Sequence, residues 1–275
     1  NCTGKTELYG EQFHCWKKKG HGAVNMRSAL QRSCDVYFYE VARLLGVDRL
    51  SETAKKFGLG SKLFQGFIEE RSGVVPNTKW KRKFIGKNWY LGETLHSGIG
   101  QGYFQSTPMQ LCLMTAQIAN GGFKIYPKII VDDKIKDQPI DKFTPLYEDS
   151  KNIRIVQDAM FGSTNEVMGT SYRSRINDPK YQFAGKTGTA QVKKITERDR
   201  ELDLKTFQIP YEERDHALYI AFGPYKQPRY ALSILIEHGG NGSTTAAPMA
   251  KELFKLVIDR HTYRQSINEK KYLDI

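Results

Sequence analysis

The chain has 275 residues, 39% of them hydrophobic, which is enough to build one large domain or two small ones around a sizeable core. No run of 18 apolar residues occurs, so the sequence predicts no membrane-spanning helix within it. The formal net charge of +12 favours an anionic partner, but solvated surface lysines explain it as well. No nucleic-acid-binding motif accompanies the charge, so no nucleic-acid partner is predicted.

Helical periodicity near the start of the chain predicts three helices, at residues 24–32, 35–46 and 48–60. Asp35 is the predicted N-cap of the second helix and Gly46 its end, while Gly58 ends the third. Residues 61–106 are rich in Gly, Lys and aromatic residues and have weak periodicity, so they are predicted to form a long loop. Within this loop, residues 79–90 (KWKRKFIGKNWY) mix cations with aromatic rings, as do surfaces that bind single-stranded nucleic acid by stacking on its bases. No companion motif supports that function.

The pattern changes from helical to extended along the second half. Helices are predicted at residues 106–122, with Pro108 in the first turn, and at about 150–162. The period then changes, and residues 181–192, 216–225 and 229–239 are predicted to be strands, the last two joined by a short Pro-containing turn. Residues 244–261 are predicted to form a closing amphipathic helix. The charged stretch 193–215 is predicted to be a mobile excursion. This order indicates an α+β fold, in which an antiparallel sheet is packed with helices and accompanied by a mostly helical subdomain.

Lys186-Thr187-Gly188 is the sharpest chemical motif. At the start of a strand, Lys186 would supply a fixed positive charge and the Thr187 hydroxyl would hold a carboxylate. Gly188 would let a substrate lie flat against the strand, and the backbone N–H of Thr189 would donate to a developing oxyanion. The same tripeptide also begins ordinary strands by chance, so it needs a companion motif.

Ser33-Cys34-Asp35 is that companion, roughly 150 residues upstream at a predicted helix–helix junction. Ser33 would relay a proton between a catalytic lysine and a leaving amine, and Asp35 would orient that lysine or the substrate amide. The alternative is that Ser33 and Asp35 only cap a helix. The downstream Lys-Thr-Gly favours the catalytic interpretation.

With these two motifs the chain resembles the transpeptidase domain of class B penicillin-binding proteins, of the elongation type called penicillin-binding protein 2. Asp35, where division-type relatives usually have Asn, favours the elongation type. The resemblance extends over nearly the whole chain, and the segments that carry it are spread along it: 15–50, 89–111, 183–192, 216–225 and 246–254.

The resemblance implies a penicillin-binding/β-lactamase-like fold and a serine-type D,D-transpeptidase that cross-links peptidoglycan stem peptides through an acyl-enzyme. It implies inhibition by β-lactams and a location on the periplasmic face of the bacterial inner membrane. The implied partners are a membrane-embedded glycan polymerase and cell-shape scaffold proteins. Two alternatives stay open: a D,D-carboxypeptidase or β-lactamase relative, and a non-catalytic scaffold or sensor with the same fold.

The acylated serine of the family lies in a Ser-x-x-Lys motif, and that spacing occurs nowhere in these 275 residues. In the family the motif falls a few tens of residues before the segment that holds Ser33. Residues 1–275 are therefore expected to be a transpeptidase domain without its N-terminal part. The Ser-x-x-Lys segment, a pedestal domain and a membrane anchor would lie upstream, and this fragment alone would be inactive.

Three of the four cysteines, Cys2, Cys15 and Cys34, lie in the first 34 residues together with His21. Three thiolates and one imidazole are the composition of a closed, structural zinc site, which the chemistry itself does not require. His14 could replace His21. A disulfide between Cys2 and Cys15, or three unpaired thiols, are the alternatives. The resemblance also implies a metal near this segment, because some elongation-type relatives hold one with mixed Asp, His and Cys ligands.

The zinc interpretation explains why a cysteine lies between two catalytic candidates. Cys34 would point away from Ser33 and Asp35 and bind the metal, which would fix the loop that carries both groups. Cys112 lies within an apolar helical stretch and is predicted to be a small buried hydrophobic residue.

Overall fold

The computed structural model describes residues 1–64, 67–129, 144–193, 197–202 and 204–273. The chain divides into two compact units, residues 1–159 and 160–275. None of the helices within the described ranges is long and apolar enough to cross a membrane.

The first unit begins with a hairpin and continues with helices. Its elements are β1 Lys5–Leu8, β2 Glu11–His14, α1 Met26–Gln31, α2 Asp35–Leu45, α3 Val47–Lys56, α4 Thr78–Ile85, α5 Leu91–Gly98 and α6 Pro108–Ala119, and α7 Lys151–Asn165 runs into the second unit. The hairpin is absent from the sequence prediction. Tyr9 and Gly10 both have positive φ (51° and 79°), as the two central residues of a tight hairpin turn require.

The predicted helices at 24–32, 35–46, 48–60 and 106–122 are confirmed with shorter bounds. Cys34, not Asp35, is the N-cap of α2, because Asp35 already has helical geometry as the first residue. Thr107 caps α6: its hydroxyl accepts from the backbone N–H of Gln110, and the Gln110 side chain accepts from the N–H of Thr107. Gly46 ends α2 as predicted.

The prediction of one long loop at 61–106 is wrong, because α4 and α5 lie within it. The buried side of α4 holds a lysine, Lys81, and that of α5 holds Thr94 and Ser97 beside Leu95. Apolar periodicity is therefore weak where the two helices pack. Lys81 is buried because its ammonium group meets both carboxylate oxygens of Glu93, one of them at 2.6 Å.

The second unit is built on an antiparallel sheet with the order β3-β4-β5. Its elements are β3 Ala184–Ala190, α8 Glu197–Leu202, β4 His216–Gly223, β5 Tyr230–Ile236 and α9 Ala246–Leu273. The three predicted strands and the closing helix are confirmed. The predicted excursion at 193–215 contains α8 and two short 3-10 helices, so it is more regular than predicted; its residues 194–196 and 203 lie outside the described residues.

The core of the second unit lies between the sheet and α9. Phe183, immediately before β3, stacks on Phe254 of α9 with ring centroids 4.8 Å apart, and both side chains are fully buried. Small residues at Ala246, Ala247 and Ala250 let the helix approach the strands closely. The α+β fold with an antiparallel sheet packed with helices is confirmed.

Replacement of Phe254 by Ala is expected to lower the free energy of unfolding by about 3–5 kcal/mol, because it leaves a cavity against Phe183. Leu256→Ala, on the exposed side of the same helix, is the control and is expected to change it by less than about 0.5 kcal/mol. Urea denaturation followed by circular dichroism measures both. Equal losses in the two variants would contradict this packing.

Candidate functional site

The turn between α1 and α2 positions Ser33, Cys34 and Asp35. The backbone N–H of Ser33 donates to the carbonyl of Leu30, and that of Cys34 donates to the carbonyl of Ala29. This pair of bonds is the Schellman arrangement that closes a helix, and it places Ser33 at the position that usually holds glycine.

Ser33 accordingly has a φ of 53°, in the left-handed region that a non-glycine residue adopts only at a cost. A glycine would form the same turn with less strain, so the turn alone gives no reason for a side chain here. Strained residues of this kind cluster at functional sites, where the side chain must be presented in one direction. This observation favours the catalytic interpretation of Ser33 over the helix-capping one.

Asp35 has a structural contact that the sequence did not predict. Its carboxylate accepts a hydrogen bond of 2.8 Å from the backbone N–H of Trp16. The indole N–H of Trp16 donates to the carbonyl of Arg32, and the Arg32 guanidinium donates to the carbonyl of His21 at 2.8 Å. The loop that carries Cys15 and His21 is thus bound to both sides of the α1–α2 turn.

The four predicted metal ligands are brought together. The ligand atoms of Cys2, Cys15, His21 and Cys34 all lie within 4.8 Å of one another, and all four residues are buried. His21 Nδ1 lies 3.7 Å from the sulfur of Cys2 and 3.4 Å from that of Cys15. His21, and not His14, belongs to this cluster, and none of its cysteines forms a disulfide in this structure.

The thiols of the cluster perturb one another. The pKa of Cys15 is lowered to about 4, chiefly because the Cys34 thiol donates a hydrogen bond to its thiolate, while burial opposes the change. The pKa of Cys34 is raised, chiefly because it gives that hydrogen bond and also because it is buried. Cys15 is therefore the more acidic of the two thiols, and Cys34 is the one that holds its proton more tightly.

In the second unit, Lys186, Thr187, Gly188 and Thr189 all lie on β3. In the sheet formed by the described residues, β3 is an edge strand that pairs with β4 on one side. An edge strand can accept an extended peptide as a further strand. The Lys186 ammonium donates to the carbonyl of Thr187 at 2.9 Å, so its charge stays beside the strand.

The Thr187 hydroxyl is held by a short chain of hydroxyl groups. Thr187 Oγ1 lies 3.2 Å from Thr170 Oγ1, which lies 3.1 Å from Ser163 Oγ on α7. Gly169 makes this approach possible, because a Cβ atom there would lie 2.3 Å from the carbonyl oxygen of Ser163. Thr170 is a positioning residue that the sequence analysis missed, since nothing in its local pattern points to β3.

A buried tyrosine supports the same strand from behind. The Tyr219 hydroxyl lies 2.9 Å from Thr164 Oγ1 and 3.0 Å from Ser171 Oγ, and burial raises its pKa to about 12. A Cβ atom on Gly185 would lie 2.2 Å from that hydroxyl. Gly185 is therefore required for the tyrosine to lie against β3 just before the Lys-Thr-Gly motif.

The predicted site residues fall into three groups. The cysteine cluster and the Ser33–Asp35 turn belong to the first unit, and the Lys186–Thr189 strand belongs to the second. Each group is assembled locally in a form that fits its predicted chemistry: four converging ligands, a strained serine, and an edge strand with a held hydroxyl.

Comparison with known proteins identifies the family. The profile described as "Penicillin binding protein transpeptidase domain" matches residues 1–255. The chain belongs to this family, and the resemblance to elongation-type penicillin-binding protein 2 is confirmed by its relatives.

Peptidoglycan D,D-transpeptidase MrdA of Salmonella typhimurium is 33% identical over 266 residues, which cover 92% of this chain and 41% of that protein. The chain therefore spans about two fifths of that relative's length. The penicillin-binding protein PBP2 of Helicobacter pylori, solved in complex with MreC, is 32% identical, with 94% of this chain and 44% of that chain covered and a TM-score of 0.81. A chain of a peptidoglycan synthase complex that coordinates polymerization and crosslinking is 28% identical, with 94% of this chain and 41% of that chain covered and a TM-score of 0.72.

Loss of the Thr170 hydroxyl is expected to slow acylation by penicillin about fivefold in the full-length protein, because one hydrogen bond that orients Thr187 is lost. Thr170→Val tests this, and Thr170→Ser, which keeps the hydroxyl, is expected to react at nearly the wild-type rate. The second-order rate of adduct formation, followed by mass spectrometry, is the measurement. Equal rates in the two variants would show that Thr170 does not position Thr187.

Proposed function

We propose that the chain is the larger part of the transpeptidase domain of a D,D-transpeptidase that cross-links peptidoglycan during cell elongation. The observation that carries this proposal is that one chain holds both a strained, left-handed Ser33 just before α2 and Lys186-Thr187-Gly188 on a strand that is an edge strand among the described residues. The nucleophilic serine and its lysine would lie on a Ser-x-x-Lys segment upstream of residue 1.

In this mechanism the upstream serine attacks the carbonyl of the penultimate D-alanine of a stem peptide. Its oxygen bonds to the acyl carbon, and the terminal D-alanine leaves with a proton on its amine. Ser33 passes protons between the lysine base and the leaving amine. An amine of a second stem peptide then attacks the ester, which forms the cross-link and returns the proton to the serine.

Residues on β3 would bind the substrate. Lys186 and the Thr187 hydroxyl would hold the terminal carboxylate of the stem peptide or of a β-lactam. Gly188, without a side chain, would let the peptide lie along the strand edge. The backbone N–H of Thr189 would donate to the oxyanion as the carbonyl is attacked, which lowers the barrier most because the donor is fixed in advance.

The proposed setting is the periplasmic face of the inner membrane, with a cell-shape scaffold protein and a membrane-embedded glycan polymerase as partners. The Helicobacter pylori relative solved with MreC supports the first partner, and the relative from a peptidoglycan synthase complex supports the second. β-Lactams are the expected inhibitors, because they resemble the terminal peptide of the stem.

We also propose that Cys2, Cys15, His21 and Cys34 hold a structural zinc ion. Across a tetrahedral zinc with ordinary bond lengths, a sulfur and a nitrogen ligand are about 3.6 Å apart. The observed separations of 3.7 and 3.4 Å match this value. A divalent cation would also stabilise Cys15 and Cys34 as thiolates at the same time. In the absence of a cation, the hydrogen bond between them lowers the pKa of Cys15 and raises that of Cys34.

Four protein ligands leave no position for a reacting water, so the role of the ion would be structural. Cys34 lies between Ser33 and Asp35, and Trp16, next to Cys15, donates to Asp35. Binding the metal would therefore fix the turn that presents the Ser33 hydroxyl.

The test of the function is acylation of the full-length protein by penicillin, with Ser33→Gly as the variant. Its acylation rate is expected to fall at least about 100-fold, because a proton relay is lost. Its unfolding temperature is expected to stay the same or rise, because glycine relieves the left-handed strain.

Tyr9→Gly, at another positive-φ position, is the matched control and should keep the wild-type acylation rate. Wild-type acylation by Ser33→Gly would exclude the proposed relay. A wild-type protein that forms no adduct would be a scaffold or sensor, and one that rapidly releases the hydrolysed drug would be a β-lactamase relative.

The zinc proposal predicts one zinc ion per chain by native mass spectrometry and its absence in Cys34→Ser. This variant should lose thermal stability and acylation rate together, and a chelator should lower the unfolding temperature of the wild type but not of the variant. Cys112→Ser, outside the cluster, is the control and should retain the ion. A metal-free wild type with unchanged stability in chelator would overturn the proposal.

A further inference from the structure

One surface of the first unit has no part in the proposed chemistry. It comprises the exposed cations and two of the exposed rings of residues 78–90 and is called here the basic–aromatic surface: Lys79, Arg82, Lys83, Phe84, Lys87 and Tyr90. Lys79, Arg82 and Lys83 are spaced i, i+3 and i+4 on α4, so they share one face of the helix. Gly86, in the left-handed conformation, ends α4 and leads to Lys87.

Among the residues that the structure describes, no carboxylate forms an ion pair with the cations of this surface. The sequence from Arg71 to Gly92, both included, contains six cations and no Asp or Glu. Glu93, the next carboxylate, is occupied by the buried Lys81, and the Asp48 carboxylate accepts from Thr78. Within the described part of the chain, none of the four exposed cations forms an ion pair.

Like charges on one helix face repel, so this arrangement lowers the stability of α4 in isolation. An anionic partner would remove that repulsion. The charge pattern is therefore better explained by binding than by folding.

Apolar groups project from the same segment. Phe84 is 66% exposed and Tyr90 64% exposed, and Ile85, between the cations and Gly86, is 38% exposed. The Lys83 ammonium lies 5.3 Å from the centre of the Phe84 ring, so cation and ring are presented side by side. Exposed rings and an aliphatic chain beside lysines and arginines are typical of residues at a membrane–water interface.

Ring contacts and a helix cap hold residues 78–90 in place. The Trp80 ring lies 5.4 Å from that of Tyr103, which lies 6.2 Å from that of Trp89. The Asn77 side chain caps α4 by accepting from the backbone N–H of Trp80 at 2.7 Å. The surface therefore exists before any partner binds, and little ordering is needed on binding.

We propose that the basic–aromatic surface binds the headgroups of an anionic phospholipid bilayer. Lys79, Arg82, Lys83 and Lys87 would contact phosphate groups, while Phe84 and Ile85 would enter the boundary between headgroups and acyl chains. A carboxylated glycan strand is the weaker candidate. It offers many hydroxyl groups that need both donors and acceptors, whereas the surface offers mainly cations and hydrocarbon, with the Tyr90 hydroxyl and the Asn88 amide as its neutral polar groups.

The test measures partition of the 275-residue chain onto large vesicles by sedimentation. Binding is expected to vesicles of phosphatidylcholine with 30% phosphatidylglycerol, to fall steeply in 0.5 M salt, and to be absent on pure phosphatidylcholine. The double variant Arg82→Gln/Lys83→Gln is expected to bind at least about tenfold more weakly. Phe84→Ser is expected to weaken binding while it keeps the salt dependence.

Arg49→Gln/Lys55→Gln removes the same two charges from exposed positions on α3 and is the matched control, which should bind as the wild type does. Circular dichroism verifies that each variant is folded. Equal weakening in both double variants, or equal binding to neutral and anionic vesicles, would overturn the proposal.

The proposal would also be overturned if the chain bound purified peptidoglycan but not vesicles. If that binding were lost in Arg82→Gln/Lys83→Gln, the wall polymer would be identified as the partner. The outcome is independent of the proposed acyl transfer, because none of these residues belongs to the Ser33 turn or to β3.

Discussion

The reversal of the chain after α1 is the constraint on which the rest of the site depends. Three consecutive residues leave this turn in different directions: Ser33 in a left-handed conformation, Cys34 buried in the cysteine cluster, and Asp35 bonded to the backbone of Trp16. The turn makes a buried ligand and two half-buried polar groups compatible at adjacent positions.

In the second unit, the strand β3 must keep one edge unpaired by other strands and yet hold a fixed conformation. β3 carries two glycines within five residues, a composition that weakens strands. Neighbouring hydroxyl groups contact the strand at both glycine positions: Thr170 Oγ1 lies 3.2 Å from Thr187 Oγ1, beside Gly188, and the Tyr219 hydroxyl lies against Gly185. A network of short polar side chains thus replaces the apolar packing that the glycines cannot provide.

The sequence predicted the second unit well, because β4 and β5 are short apolar segments joined by a Pro-containing turn and because α9 has an apolar side that packs on the sheet. It indicated the catalytic candidates because Lys-Thr-Gly and Ser-x-Asp are local motifs, and their catalytic roles stay predictions. It failed for α4 and α5, whose packed faces are polar: Lys81 is buried only because Glu93, twelve residues away, neutralises it. The β1–β2 hairpin was missed because its turn requires a positive φ at Tyr9, and tyrosine rarely adopts that conformation.

For the cysteine cluster, the sequence predicted the kinds of ligand but not which histidine is one of them. Composition indicated three thiols and one imidazole, but sequence spacing left the choice of His14 or His21 open. The structure brings His21 to the thiols because Cys2 pairs with Gly22 through two backbone hydrogen bonds, which draws the residue before Gly22 inward. Contacts between residues far apart in sequence, such as Thr170 with Thr187, have no local signature at all.

The contact between Gly185 and Tyr219 has an evolutionary consequence. Because a methyl group at position 185 would overlap the tyrosine hydroxyl, neither position can change alone without disturbing the strand. A lineage that replaced Gly185 would first have to shorten the side chain at position 219, and would then lose the bonds to Thr164 and Ser171. The residue just before the Lys-Thr-Gly motif is therefore constrained by a fully buried phenol, and we expect substitutions at positions 185 and 219 to occur together.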